Sequence, residues 1–421
     1  MLEQPHFGRR LKELRLQRGL SQSALAGDEM STGYVSRLES GTRQPTERVV
    51  SHLAKTLDAS PAVFEQPVAP PLAHAIASAV SCPLGGSTSE LAAAIDADSG
   101  SSPTLRWQAL WQLADMHGEP DESGRADDPD VTRDLSNRLA ELVELGDRMA
   151  QPELRTRARA RLARHLRHTG DNQQALRYAV EADELAVRHT LPTTDAMDAL
   201  LVRVAAEAEA GLLAEACVCA ERLLTLAKGA PAPLVARALW AVGTVRARKG
   251  DHTTARLLLD DAISTLDGRD GIVLWIRLRL ALASLCLQQP VPDARTARER
   301  LAEAEPIIKV LGAPRHHQEA QSLQAHIAFT EGRLDDARLL CREVLADTPR
   351  LAFRDRVRLH ALFHQVQIRQ GETEPGIDGL RTLAAEAQGS GNMDLAAAIW
   401  QALAEALADS RPDPDAVSAN S

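Results

Sequence analysis

The chain has 421 residues and a net charge of −10, with 44% hydrophobic residues but only 3% aromatic ones. That length calls for two or more domains, and a composition rich in Ala, Leu, Arg and Glu suits a long helical protein rather than a sheet. No apolar run approaches the roughly 18 residues that a bilayer span needs, and the first residues lack the apolar core of a signal peptide, so a cytoplasmic protein with no membrane partner is expected.

In chain order, a first helix is predicted from Phe7 to Arg18, burying Leu11 and Leu14 and ending at Gly19. Ser21 caps a second helix that carries Leu25 and Ala26, and a third starts near Ser31. Val35 and Leu38 lie three apart and face inward, which leaves Thr32, Gly33, Tyr34, Ser36 and Arg37 turned outward. The segment Arg43-Gln44-Pro45-Thr46 leads into a fourth helix, Glu47 to Leu57. The pattern is a helix-turn-helix, in a head that spans 1–66. Between Phe7 and Leu57, nine Lys/Arg against five Asp/Glu give the head +4 and leave about −14 for the rest. A basic head on an acidic body can approach phosphates while the body stays off.

Residues 67–103 read as a Pro-, Gly- and Ser-rich linker with short helical patterns near Leu72 to Val80 and Ser89 to Ala97. From Thr104 to 409 the pattern is helical almost throughout. Trp107 and Trp111 share an apolar face, and an acidic stretch, Gly118 to Asp130, is predicted to be a mobile loop. Turn signals recur at Gly170-Asp171, Gly211, Gly250-Asp251, near Pro290, at Gly332 and at Gly371, at intervals of 41, 39, 40, 42 and 39 residues. Small residues fall five positions after the turn at Ala175, Ala216, Ala255, Ala337 and Gly376, and seven before it at Ala163, Gly243 and Ala325. The tail, 410–421, is rich in Pro, Asp and Ser and is predicted to be disordered.

Five cysteines, Cys82, Cys217, Cys219, Cys286 and Cys341, are scattered and odd in number, which points to buried thiols. Cys217 and Cys219 lie on different faces of one helix, and His360 and His364 share a face with Ala361 where a metalloprotease would place Glu. No metal and no cofactor is expected. With no Gly-rich phosphate loop and no nucleophile elbow, neither is an enzyme.

The residues Ser21-Gln22, Leu25-Ala26, Tyr34-Val35-Ser36, Leu38-Glu39 and Gly41 resemble the Cro/xenobiotic-response-element, or lambda-repressor-like, DNA-binding family. The resemblance implies that the third helix enters the major groove, with Thr32, Gly33, Ser36 and Arg37 at base edges and Tyr34 on the flank. It also implies that Ser21, Gln22 and Arg43 touch phosphates and that Arg15 and Glu39 form an internal ion pair. The turn around Gly27 to Met30 is one residue shorter than the commonest form of the family.

The spaced small residues look like those of the tetratricopeptide repeat, with helices lengthened beyond its usual 34-residue period. The fold expected is all-α: a small five-helix DNA-binding domain followed by a tetratricopeptide-like α-solenoid. In such repeats, positions thirteen and six before the turn face a groove, which here gives Arg157, Asp198, Arg237, Arg277, Glu319 and Arg358 at the first and Arg164, Ala205, Thr244, Ser284, His326 and Gln365 at the second, with Trp240 ten before its turn. The candidate ligand residues among them are Arg157, Arg164, Arg237, Trp240, Arg277, His326, Arg358 and Gln365. The row of arginines fits an anionic ligand, and it equally fits a solvated helix face rich in a good helix former. Head and repeats together are similar to the RRNPP-type regulators. Those use groove asparagines to grip peptides, whereas the four here, Asn137, Asn172, Asn392 and Asn420, fall off the predicted stripe.

These readings converge on a transcription regulator that binds double-stranded DNA as a homodimer and senses a peptide, small molecule or protein in its repeats. The rival expectation is an interaction scaffold whose head serves for localisation or protein binding.

Overall fold

A computed structural model of the chain describes residue 4 and residues 6–64, 71–81, 87–98, 100–117, 129–347 and 350–409. The linker prolines Pro67 and Pro70, Cys82, most of the acidic stretch (118–128) and the tail (410–421) lie outside the described residues. Two compact units emerge, Met1–Leu105 and Arg106–Ser421.

In the first unit, α1 (His6–Gln17), α2 (Gln22–Ala26), α3 (Thr32–Glu39) and α4 (Glu47–Thr56) are followed by a 3-10 turn, Pro61–Phe64. Each helix start after the first has a side-chain cap. The hydroxyl of Ser21 accepts from the Ala24 N–H at 3.0 Å, that of Ser31 from Tyr34 at 3.2 Å and that of Thr46 from Val49 at 3.4 Å. Gly27 stops α2 at φ +55°, a conformation that glycine adopts without a Cβ clash. The apolar faces close on one core, in which Leu11, Leu25, Val35, Leu38 and Leu53 are fully buried. Phe7 meets Phe64 at 5.1 Å between ring centres, so the last turn folds back on the first helix. Helices α5 (Pro71–Ser81) and α6 (Thr88–Ala97) follow.

The second unit starts within α7 (Pro103–Met116), where Trp107 and Trp111 stack at 5.2 Å. Pro129 and Asp130, expected in the loop, instead open α8 (Pro129–Met149), because Pro is pre-set for a first helical turn. Six helix hairpins come next. They are α9 (Pro152–Thr169) with α10 (Asn172–Arg188), α11 (Thr193–Glu209) with α12 (Leu213–Leu226), and α13 (Ala232–Arg248) with α14 (His252–Thr265). Then come α15 (Ile272–Leu287) with α16 (Ala294–Leu311), α17 (Pro314–Thr330) with α18 (Leu334–Ala346), and α19 (Phe353–Arg369) with α20 (Thr373–Gly389). A last helix, α21 (Met393–Asp409), covers the end.

The small residues sit where the paired helices cross. Ala175, Ala216, Ala255 and Ala337 are fully buried, as are Ala163 and Ala325. A Cβ on Gly243 would lie 3.2 Å from the Ala255 carbonyl, and one on Gly376 only 2.5 Å from Ile368. Successive first helices pack side by side, α9 on α11, α11 on α13 and so on to α21, more closely than the second helices do. A hairpin cannot bury its own apolar face, so each stacks on the next and buried apolar clusters follow one another along the array. Cys219, Cys286 and Cys341 are free thiols, each buried in a different one of these clusters, and Cys217 is a half-buried one. Burial pushes the Cys341 thiol up to about 12. Among the described residues, no helix is long and apolar enough to cross a membrane.

Candidate DNA interface and repeat groove

In the head, the outward residues of α3 are placed by what holds its inner face. Val35 and Leu38 are fully buried, while Thr32, Gly33, Ser36 and Arg37 are exposed and Tyr34 is half-buried. Arg37 folds along the helix, its Nε donating to the Gly33 carbonyl at 3.2 Å. Arg43, exposed in the loop after α3, stacks its guanidinium 5.6 Å from the centre of the Tyr34 ring. Thus Tyr34, Gly33, Arg37 and Arg43 form one surface on the exposed side of the helix.

Arg15 clasps Glu39 in two parallel hydrogen bonds, Nε to Oε1 at 2.6 Å and Nη2 to Oε2 at 3.1 Å, and adds a third to the Leu20 carbonyl at 2.9 Å. Gln22 donates to the same carboxylate at 2.7 Å, so one buried anion ties α1, α2 and α3 together. Burial pushes the Glu39 carboxyl up, but the bonds from Arg15 and Gln22 outweigh it and hold it below its ordinary value. Ser21 is occupied as the cap of α2, and its hydroxyl also lies 2.8 Å from that of Ser23.

Two supports were not singled out from the sequence. Gly8 lets α1 approach α3 so closely that a Cβ there would sit 2.2 Å from the Leu38 carbonyl. The Gln4 amide donates to the carbonyls of Leu38 (3.2 Å) and Arg43 (2.6 Å), bracing the end of α3 and the loop beyond it. A glycine inside a helical pattern is the one signal that marked the first; nothing in the pattern marked the second.

In the repeats, the first part of the predicted arginine stripe, Arg157, Arg164 and Arg237, is a ladder of ion pairs between neighbouring first helices. Arg157 clasps Asp195 (2.7 and 3.1 Å), and Arg164 clasps Asp198 (2.8 and 2.9 Å) with Arg237 3.5 Å from the same carboxylate. Burial pushes Asp198 up, yet Arg164 and Arg237 hold it below its ordinary value. Arg277 stands over the Trp240 ring at 4.7 Å. His326, Arg358 and Gln365 are half-buried. Burial and the charge of Arg358 drive the His326 ring down to about 4, so it is neutral near pH 7. Arg358 is itself lowered to about 9, first by burial and then by Arg354. The arginines keep some solvent contact: the side chain of Arg157 is 45% exposed and that of Arg237 38%. Asp195 and its role as the counter-charge were missed, although it lies one helical turn before Asp198. Among the described residues no three His, Cys, Asp or Glu side chains gather as a metal site.

Residues 6–66 match a family model described as a helix-turn-helix domain. The head is a helix-turn-helix domain. No curated protein matches the chain. Among solved structures, NprR in complex with its cognate peptide NprX is 13% identical, with 90% of this chain and 98% of that one covered at a TM-score of 0.52. A Rap protein complexed with competence and sporulation factor is 11% identical (96% and 98% covered, TM-score 0.51). The Rap conjugation gene regulator of plasmid pLS20, in complex with the Phr* peptide, is 10% identical (93% and 98%, TM-score 0.51). Identities this low speak for fold alone: an all-α helix-turn-helix head with a tetratricopeptide-like solenoid, similar in architecture to the RRNPP-type regulators.

Proposed function

We propose that the protein is a sequence-specific, DNA-binding transcription regulator whose repeat unit dimerises and senses a ligand. The observation that carries this reading is the construction of α3. Its inner face is locked by Val35, Leu38 and the Arg15–Glu39 clasp, so that Thr32, Gly33, Ser36 and Arg37 are presented outward on a rigid element. A helix held in this way is what a major groove admits, and an arginine beyond its first turn is suited to a bidentate contact with guanine. Tyr34 and Arg43 would grip the flanking backbone, as would the start of α2 at Ser21 and Gln22. The head has little excess charge, so a single copy would bind weakly; two copies reaching major grooves about 34 Å apart would bind well.

For the repeats, the proposed ligand face is the stripe Arg157, Arg164, Arg237, Trp240, Arg277, His326, Arg358 and Gln365. Two of the similar folds, NprR and the pLS20 Rap regulator, were solved with peptides, which favours a peptide here; a small molecule or protein would meet the same arginine forks. A ligand that prefers one curvature of the array would change the spacing of two heads and hence DNA affinity.

The test is a mobility shift of the full chain on its own upstream DNA across a salt series. Binding that weakens steeply with salt, and that Arg37→Ala lowers by about 1–3 kcal/mol while relaxing sequence preference, is expected. Salt-independent binding, or none, would remove the regulator reading.

A further inference from the structure

The repeats end on α21, whose start is held firmly. Asn172, at the start of α10, donates to the Ser390 carbonyl at 3.4 Å, Asn392 donates to the Ser390 hydroxyl at 3.2 Å, and Arg354 clasps Asp394 in the first turn. Leu395, Ala396, Ile399 and Leu403 are buried against the last hairpin. Gln401 and Glu405, hydrogen-bonded to each other at 2.9 Å, mark a polar side. A third side lies between the two. On it Met393, Trp400 and Leu407 are 55%, 44% and 41% exposed, and Ala397 and Ala404 stand exposed in the gaps. Among the described residues, α21 alone carries three large apolar side chains this open to solvent.

The five follow one another at intervals of four, three, four and three residues. That period keeps them on one line along the helix and is the seam of two paired helices, whereas a face made for water alone would be polar. In α19, which begins at Phe353, 40 residues before Met393, the corresponding side is covered. Val357 there is 2% exposed, and the His364 ring packs so tightly under Gly379 of α20 that a Cβ on the glycine would lie 2.2 Å from it. Thus α21 stands in the place of a first helix with the side that meets a second helix laid open. The residues that follow it, 410–421, bring Pro412, Pro414 and one large apolar residue, Val417, a pattern that cannot make the apolar face of such a helix. The sizes along the line run large, small, large, small, large, and read the same in both directions. A second α21 laid antiparallel about a two-fold axis at Trp400 therefore brings Ala397 opposite Ala404 of the partner subunit and Met393 opposite Leu407 of the partner subunit. The two indoles meet at the axis, with small residues on either side to receive them.

We propose that the outer side of α21 is the interface between two copies of this chain, paired antiparallel about Trp400. The pairing gives α21 the cover that α20 gives α19, in an isologous contact where one patch serves both subunits. The proposal rests on the reading of the repeat unit as dimeric and names its surface; it is independent of the arginine stripe and of the head, since its readout needs neither peptide nor DNA. Because α21 starts where the first hairpin meets the last, a change in the curvature of the array would move this seam.

The experiment is sedimentation of the full chain across about 1–100 µM, without DNA or peptide. A reversible dimer is expected, and Trp400→Glu should raise its dissociation constant about 30-fold or more, because a central aromatic carries much of the binding energy of an interface. If that variant does not fold, Ala404→Glu, at a small exposed position, should have the same effect. Leu257→Glu, at a side chain 61% exposed on α14, should leave the mass unchanged. A short bifunctional thiol reagent should join two copies of the Ala397→Cys, Ala404→Cys double variant and should join Ala397→Cys alone no better than the unaltered chain. Dimers undiminished in the α21 variant that folds would overturn this interface while the dimeric reading stands, whereas a monomer at every concentration would overturn both. Cross-linking of Ala397→Cys alone as efficient as that of the double variant would overturn the antiparallel pairing.

Discussion

The head and the repeat unit use the same two devices in different dosage. Each brings helices into close contact at a small residue, and each ties them with an arginine fork on a carboxylate. The head does each once, at Gly8 under Leu38 and at Arg15 on Glu39. The repeats do both many times over, from Ala163 to Gly376 and from Arg157–Asp195 through Arg164–Asp198 to Arg354–Asp394. A device present once holds a whole unit, whereas a repeated one holds only its neighbours. The two units should therefore fail differently.

The largest effect should come from the head's single clasp. Arg15→Ala leaves the buried Glu39 with the Gln22 hydrogen bond and the more distant charge of Lys12, a loss of about 3–5 kcal/mol for breaking a buried pair. Hydrogen exchange should accelerate across 7–57 together while amides of the repeats keep their protection. In contrast, Arg157→Ala, at a side chain 45% exposed, strands the buried Asp195 carboxylate and should cost about 1–3 kcal/mol, confined to α9 and α11. Local opening at α3 alone after Arg15→Ala would break the comparison.

Acid should separate the units next. His165, 4% exposed, and His316, 1% exposed, are both lowered to about 4, first by burial. His165 lies 2.8 Å from the Ser136 hydroxyl, and His316 sits among Arg277, Arg315 and His317. Their folded pKa values lie below the unfolded one, so the stability each contributes is complete above about pH 6.5 and lost as pH falls towards 4. On the order of 2–3 kcal/mol for each is expected. Glu39 in the head is also lowered, but for a carboxylate this means stability that persists until the pH falls below about 4. Between pH 6.5 and 4.5 thermal melts should show the repeat unit weakening while exchange in the head stays slow; the reverse order would contradict these assignments.

Close approach gives a graded series. A Cβ on Gly8 would meet backbone, the Leu38 and Glu39 carbonyls at 2.2 and 2.9 Å, and one on Gly376 would meet the Ile368 side chain at 2.5 Å and the His364 carbonyl at 2.8 Å. Both alanine variants should cost about 1–3 kcal/mol, with Gly8→Ala the more damaging because a backbone cannot swing aside. Chemical denaturation followed by exchange should find the loss throughout the head in one case and limited to α19 and α20 in the other.

The contrast also explains what the sequence could reveal. Caps, turns and crossings are local events with fixed offsets, so Ser21, Ser31, the turn glycines and the small residues five past each turn could be read from spacing. The Arg15–Glu39 clasp was legible only through family resemblance, since 24 residues separate the pair. The arginine stripe was visible as a row with Asp198 in it, but the pairing was not, because Asp195 and Asp198 answer to arginines on α9, one hairpin earlier and more than 30 residues away. Asn172 and Asn392 stood outside every stripe. Their use arises where the array meets itself, a consequence of accumulated curvature that no single repeat encodes.

The smallest effect is the most discriminating for α3. At Gly33 an added Cβ finds nothing within 4 Å, and the residue lies in the first turn of the exposed helix. Gly33→Ala should therefore stabilise the head slightly, by up to about 1 kcal/mol, because alanine loses less backbone freedom in a helix than glycine does. If the helix start enters the major groove, that methyl group would stand between the backbone and the base edges, and DNA affinity should fall while the Tm rises. Opposite signs in the two measurements cannot come from unfolding. A variant that gains stability and binds DNA as before would show that Gly33 lies clear of the groove, shifting the contact surface towards Ser36 and Arg37.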